Sequence, residues 1–121
     1  MTTIFHNPRC SKSREAVELL QSSGIQFDVV KYLEHPPSEQ ELGKIVKMLG
    51  IKPEQLVRKK EKLFAELQLG NKSLSDNEWL ATLAAHPKLI ERPIVVHNQK
   101  AAIGRPIENI AALLDESASE I

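Results

Sequence analysis

The chain has one cysteine, Cys10, so no disulfide can form within it. That excludes the disulfide-stapled scaffolds of small secreted proteins. Aromatic residues are only 4% of the composition, which leaves leucine, isoleucine, valine and alanine to fill a core. Net charge is missing as well. Sixteen basic residues balance sixteen acidic ones, so no overall field draws the chain to nucleic acid or to an anionic membrane. No apolar run approaches the ~20 residues of a membrane span. The segment from Met1 to Cys10 holds no apolar stretch of signal-peptide length. The expected setting is the cytoplasm, where a lone thiol stays reduced. With 41% hydrophobic and 26% charged residues, the 121 residues are expected to form one soluble domain, 1–121, with a real core.

Thr2 to Phe5 reads as a short strand, followed by the polar loop His6-Asn7-Pro8-Arg9. A helix then opens at Cys10 or Ser11, with Ala16, Val17, Leu19 and Leu20 at helical spacing and Gly24 just past its end. Phe27, Val29 and Val30 mark a second strand within Ile25–Leu33. Strand, helix and strand make a βαβ unit, which predicts two parallel strands. Residues 38–90 read as a helical insertion without a good strand. Ser38 with Glu41, and Ser75 with Glu78, are capping boxes. Pro53 starts a short helix through Leu56 and Val57, and a further helix from Lys60 to Leu67 is closed by Gly70. Ile94 to His97 is a third strand, Asn98-Gln99-Lys100 a tight turn, and Ala101 to Ile103 a weak fourth strand. Pro106 suits the first turn of a last helix carrying Ile107, Ile110, Leu113 and Leu114, with a frayed tail from Glu116. The order βαβ, helices, ββα predicts an α/β fold with a mixed sheet.

Cys10 falls where a strand has ended and a helix begins. Free N–H groups and the partial positive charge of a helix start favour a thiolate there. Arg9, Lys12 and Arg14 add cations, and no acidic residue lies within four positions. Ser13 stands where a second cysteine would complete a C-x-x-C pair. A two-electron cycle therefore needs a second thiol from outside the chain. His6 is placed to pair with the thiolate or to shuttle a proton. His35, His86 and His97 show no ligand spacing, so no metal site is expected. Walker A spacing is absent, and the C-x5-R loop of cysteine phosphatases would need arginine where Ala16 stands. Arg58, Arg92 and Arg105 are candidates to bind an oxyanion, the last two because each precedes a proline that stiffens the backbone.

The run His6-Asn7-Pro8-Arg9-Cys10-Ser11-Lys12-Ser13-Arg14 resembles the active-site loop of the glutaredoxin-linked arsenate reductases, the ArsC family. The resemblance continues through Tyr32-Leu33-Glu34-His35-Pro36-Pro37, Leu56-Val57-Arg58-Lys59, Glu91-Arg92-Pro93-Ile94-Val95-Val96 and Gly104-Arg105-Pro106. It implies a thioredoxin-like fold: a βαβ–ββα mixed four-stranded sheet with a helical insertion between its halves. It also implies roles. Cys10 would attack arsenate to give a covalent cysteine–arsenic adduct, with His6 near the thiol and with Arg9 and Ser13 available to stabilise it. Arg58, Arg92 and Arg105 would hold the oxyanion, and Pro93 would be the cis-proline facing the cysteine. Glutathione would be the co-substrate and glutaredoxin the protein partner. No bound cofactor, nucleic acid or membrane is implied.

The same blocks occur in relatives with other activities. One alternative is a glutathione-dependent thiol or disulfide reductase without arsenate activity. Another is an Spx-like regulator that binds RNA polymerase without catalysis. Ser13 departs from the C-x-x-C of the usual redox-switched regulators, and the chain ends earlier than plasmid-type arsenate reductases do.

Overall fold

A computed structural model describes residues 2–119, and side chains from Thr2 to Leu114. Its chain divides into two compact units, residues 1–35 with 92–121, and residues 36–91. In the first unit, four strands form one sheet: β1 (Thr2–Phe5), β2 (Asp28–Val30), β3 (Ile94–His97) and β4 (Lys100–Ile103), in the order β2-β1-β3-β4. The β1–β2 pair is parallel, as the βαβ reading requires, while β3 runs antiparallel to both β1 and β4. The mixed four-stranded sheet is therefore as expected. β2 is shorter than the predicted run, because only Asp28 to Val30 finds partners on β1.

Helix α1 (Ser11–Ser22) buries Ser13, Ala16 and Leu20, one line at helical spacing. A second helix, which we label α5 (Glu108–Ser119), closes the unit. Ile4 of β1 and Val95 of β3 are direct register partners. Both pack with Ala16, Leu20, Ile110 and Leu113 in one apolar cluster, so both helices cover one face of the sheet. Each leucine, isoleucine or valine of the cluster contributes about 1.5–3 kcal/mol over leaving it in water. The helix begins two residues later than expected. Pro106 precedes it in a cis peptide bond with Arg105 and accepts the Asn109 N–H through its carbonyl. Its backbone stays helical through Ser119, past the predicted fraying at Glu116, and residues 120 and 121 lie outside the described part.

The second unit holds α2 (Glu39–Leu49), α3 (Lys62–Glu66) and α4 (Asp76–Ala85) with three short 3₁₀ helices. Ser38 and Ser75 cap α2 and α4 through the N–H groups of Glu41 and Glu78, and Ser75 with Glu78 completes a reciprocal box. Bonding to Ser75 holds the Glu78 carboxyl below its ordinary value. Gly50 ends α2 in the left-handed conformation, with its N–H on Lys47 and that of Ile51 on Val46. One expectation fails here. Gly70 does not stop the helix after Lys60. The chain turns earlier, at Gln68, whose φ of 55° is left-handed, and Gly70 lies inside the 3₁₀ helix Leu69–Asn71. The segment also contains extended pairing. Val57 bridges Ile90 antiparallel, flanked by Arg58 N–H to Leu89 O (2.7 Å) and Glu91 N–H to Leu56 O (2.8 Å). One bridge is too short for alternation of apolar residues to reveal. No helix among the described residues is long and apolar enough to cross a membrane.

Gly104 is where backbone must come close. A Cβ there would lie 2.6 Å from Ile110 Cδ1 and 2.8 Å from Pro93 Cγ. We expect Gly104→Ala to cost about 1–3 kcal/mol by overpacking. Urea denaturation would show it as a lower midpoint at unchanged slope, with Ile110→Val recovering part of the loss.

Candidate functional site

The strand order brings distant residues to one end of the sheet. β1 ends at Phe5, and the loop His6–Arg9 delivers Cys10 to the start of α1, where it is the N-cap with extended φ and ψ of −96° and 122°. The loop is braced by its own bonds: Cys10 N–H to Asn7 O, Arg9 N–H to Asn7 Oδ1, and Arg14 Nη1 to Pro8 O. The Cys10 sulfur makes no capping bond to the helix N–H groups. Its partner is Arg105, whose Nη2 lies 3.5 Å from Sγ, across 95 positions of sequence. Cys10 is 9% exposed, so the thiol is sheltered but has a guanidinium beside it.

Arg105 arrives there by hairpin register. The β3–β4 turn has two residues, Asn98 and Gln99, both at positive φ (50° and 69°), as the twist of a tight hairpin requires. From that turn the register runs His97↔Lys100 to Ile94↔Ile103. The pairing continues with the Gly104 N–H on Pro93 O at 2.8 Å. One step further, Arg92 and Arg105 stand opposite each other, and Arg105 Nε donates to Arg92 O at 2.7 Å. Both precede cis-prolines, Pro93 and Pro106. Pro93 is fully buried. The Nε and Nη1 of Arg92 are buried without a hydrogen-bond partner among the described residues. Buried donors left unpaired cost about 1–3 kcal/mol each, and more when charged. An acceptor-rich anion is the ligand that would satisfy them.

His6 and Ser13 form the inner layer of the site. His6 Nδ1 lies 2.6 Å from Ser13 Oγ, and that oxygen also accepts the Asn7 N–H at 3.0 Å. Ser13 is fully buried, and its hydroxyl is committed to the loop and the imidazole. Among the described residues, no hydrogen bond joins Ser13 or the exposed Arg9 side chain to the sulfur. Arg58 belongs to the 36–91 unit, where its Nη1 pairs with Glu61 at 3.0 Å and its Nε with Glu91 at 3.2 Å. Of the predicted arginines, Arg92 and Arg105 are thus neighbours, Arg105 touches the thiol, and Arg58 is held by carboxylates. Asn7, which supplies both a backbone donor and a side-chain acceptor to the loop, was not singled out from sequence; its place between a strand end and Pro8 was the available signal. Among the described residues no cluster of three histidine, cysteine or acidic side chains could hold a metal ion.

Burial lowers the His6 imidazole below its ordinary value, and the positive charges of Lys31 and Arg14 add to the effect. Burial lowers His97 as well. The unfolded chain therefore takes up these protons before the folded chain does. Stability from this source is full above about pH 6.5 and is lost as the pH falls through the lowered folded values. We expect the urea midpoint to decline below about pH 6.5, with a shallower decline in His6→Gln, where only His97 contributes. Ser13→Ala should cost about 1–3 kcal/mol at pH 7.5, because it strands the Asn7 N–H and the imidazole together.

The model of the ArsC family matches residues 5–113. A protein from Neisseria meningitidis, named arsenate reductase, is 52% identical over 112 residues, covering 92% of this chain and 96% of its own. An Escherichia coli protein named arsenate reductase is 38% identical over 95% of this chain and 82% of its own length. A solved structure described as arsenate reductase from Vibrio cholerae superposes with a TM-score of 0.88 at 49% identity, covering 92% of this chain and 95% of that one. On a family match that spans both halves of the sheet and the segment between them, this chain belongs to the ArsC family.

Proposed function

We propose that the protein is an arsenate reductase, an oxidoreductase in which Cys10 attacks arsenate and Arg92 and Arg105 hold its oxygens. The observation that carries this reading is the Arg105 guanidinium 3.5 Å from the Cys10 sulfur. The unpartnered nitrogens of Arg92, one hairpin position away, support it, as do the names of relatives from Neisseria and Escherichia. In the proposed cycle the Cys10 thiolate displaces one arsenate hydroxyl, which leaves as water. A glutathione thiolate then attacks the adduct sulfur and an S–S bond forms. The As–S bonding pair stays on arsenic, which departs as arsenite. Glutaredoxin exchanges with the mixed disulfide and frees Cys10. Two thiols are oxidised for each arsenic reduced, and the chain supplies one of them. No bound cofactor takes part, and a reducing cytoplasm suits the chemistry.

A second reading keeps Cys10 and replaces arsenate with a glutathione mixed disulfide. One observation favours it: the Arg58 guanidinium is already bound by Glu61 and Glu91 and is not free for an oxyanion.

The purified protein with arsenate, glutathione, glutaredoxin and glutathione reductase should consume NADPH in an arsenate-dependent way. Cys10→Ser should abolish turnover. Arg105→Ala should lower kcat about 10²- to 10³-fold, the usual loss when a donor to developing charge is removed. Turnover no greater than the Cys10→Ser background would sink the arsenate reading. Cys10-dependent removal of glutathione from a mixed disulfide, unaffected by Arg92→Ala, would establish the second.

A further inference from the structure

We propose that the cleft between the cysteine loop and the turn after β2 seats the second thiol as a small peptide, with Arg9 and Lys31 on its two carboxylates and Glu34 on its ammonium. The inference rests on the proposed reductase for the identity of that thiol, glutathione, and adds the place where it binds. The cleft has a volume of about 250 Å³. The loop 6–9 forms one wall, and Lys31, Leu33 and Glu34 form the other. All of it belongs to the unit that carries Cys10. Both walls are held by backbone. The His6 N–H donates to Val30 O at 2.8 Å where the walls meet, the Glu34 N–H to Lys31 O at 2.9 Å, and the Cys10 N–H to Asn7 O at 3.0 Å. A cleft formed in advance need not be ordered by its ligand, which favours binding. It lies past the carboxyl ends of β1 and β2, two parallel strands, and crevices at such ends are where open α/β sheets bind ligands. Arg9, in its wall, immediately precedes the reactive cysteine.

The charges lining the cleft do not neutralise one another. Among the described residues, the side chains of Arg9, Lys31 and Glu34 have no hydrogen-bond or ion-pair partner, whereas Lys12, Arg58, Lys59 and Lys62 all face carboxylates. Two cations and one carboxylate are the complement of glutathione, which carries two carboxylates and one ammonium at neutral pH. Lys31 stands close enough to His6, on the opposite wall, for its charge to add to burial in lowering the imidazole. Pro8 and the 40%-exposed Leu33 supply apolar surface for the methylene groups of the peptide. A larger cleft of about 610 Å³, lined by Thr2, Phe27 and Asp28, lies at the opposite ends of β1 and β2, away from the thiol. The other occupant that the position would suit is glutaredoxin itself. A concave space of this size, lined by charges of both signs, favours the small peptide.

The test uses the full chain and S-methylglutathione, which keeps both carboxylates and the ammonium but cannot exchange disulfides. In an amide NMR titration reaching tens of millimolar, saturable shifts should gather at residues 6–9 and 31–34. Arg9→Gln, Lys31→Gln and Glu34→Gln should each raise the half-saturating concentration about twofold to fivefold, the worth of one exposed ion pair. Added salt should weaken binding to the parent. Lys47→Gln, which removes an exposed cation of the other unit, should change nothing. In arsenate turnover the same three variants should raise the half-saturating glutathione concentration, and 2-mercaptoethanol, a thiol without carboxylates, should show no such dependence. Absence of saturable shifts at these amides, or binding that the three variants leave unchanged, overturns the proposal and leaves the Cys10–Arg105 reading intact. Variants that slow only the exchange with glutaredoxin overturn it too, and make the cleft a docking face for that protein. If the titration behaves as expected but arsenate is not turned over, the cleft stands and the arsenate reading falls.

Discussion

The thiol site depends on one register, that of the β3–β4 hairpin. Two residues with positive φ, Asn98 and Gln99, fix where the strands turn. Everything on the two arms then follows by counting: the Ile94–Ile103 pair, the Pro93–Gly104 contact, and Arg92 across from Arg105. A slip of one residue would send each of these side chains to the opposite face. Val95 would leave the apolar cluster with Ile4, Ala16 and Ile110 in the same slip. The hydrophobic core and the cation beside Cys10 are therefore specified by a single choice of pairing, and burial of the core enforces the chemistry of the site.

Three arrangements of buried or half-buried polar groups divide the work. His6, Ser13 and Asn7 satisfy one another, which makes a rigid floor under the cysteine loop. Arg92 is the reverse case, with two buried nitrogens unpaired, an expense the fold sustains without internal compensation. Arg58 is the third, a cation bound by two carboxylates. A satisfied network stabilises and positions, an unsatisfied cation attracts an acceptor, and a cation shared by two carboxylates ties together the segments that carry them.

Much of the fold was legible because its signals are local. The βαβ start, the caps at Ser38 and Ser75 and the stops at Gly24 and Gly50 each depend on a few neighbouring residues. What was not legible is longer in range. The Val57–Ile90 bridge joins segments 33 positions apart and leaves no alternating pattern. Gln68 replaces a glycine as the point where the chain turns, and no propensity would select it. The site shows the same division. Cys10 stood out by its neighbours in sequence, yet the cation that reaches its sulfur is not Arg9, Lys12 or Arg14. Arg14 is drawn to the Pro8 carbonyl and Lys12 lies near Glu15, while Arg105 comes from the segment just past β4. The partnership of Arg92 and Arg105 was available to counting once the turn at Asn98 and Gln99 was fixed. Of the two carboxylates on Arg58, Glu61 is a local partner three positions on, whereas Glu91 requires the bridge.

The serine three positions after the cysteine has a structural reason as well as a redox one. On α1, position 13 shares the buried line with Ala16 and Leu20, so its side chain points inward from the loop. Its oxygen accepts one N–H and meets one imidazole, both at hydrogen-bond distance. A thiol there would be a weaker partner to both groups, because sulfur is a poor acceptor and S–H a weak donor. The chain thus holds its loop with a strong oxygen at the place where a resolving thiol would otherwise stand. Any disulfide formed on Cys10 must then be opened by a thiol that arrives from solution, and the shelter around that sulfur sets which thiols can reach it.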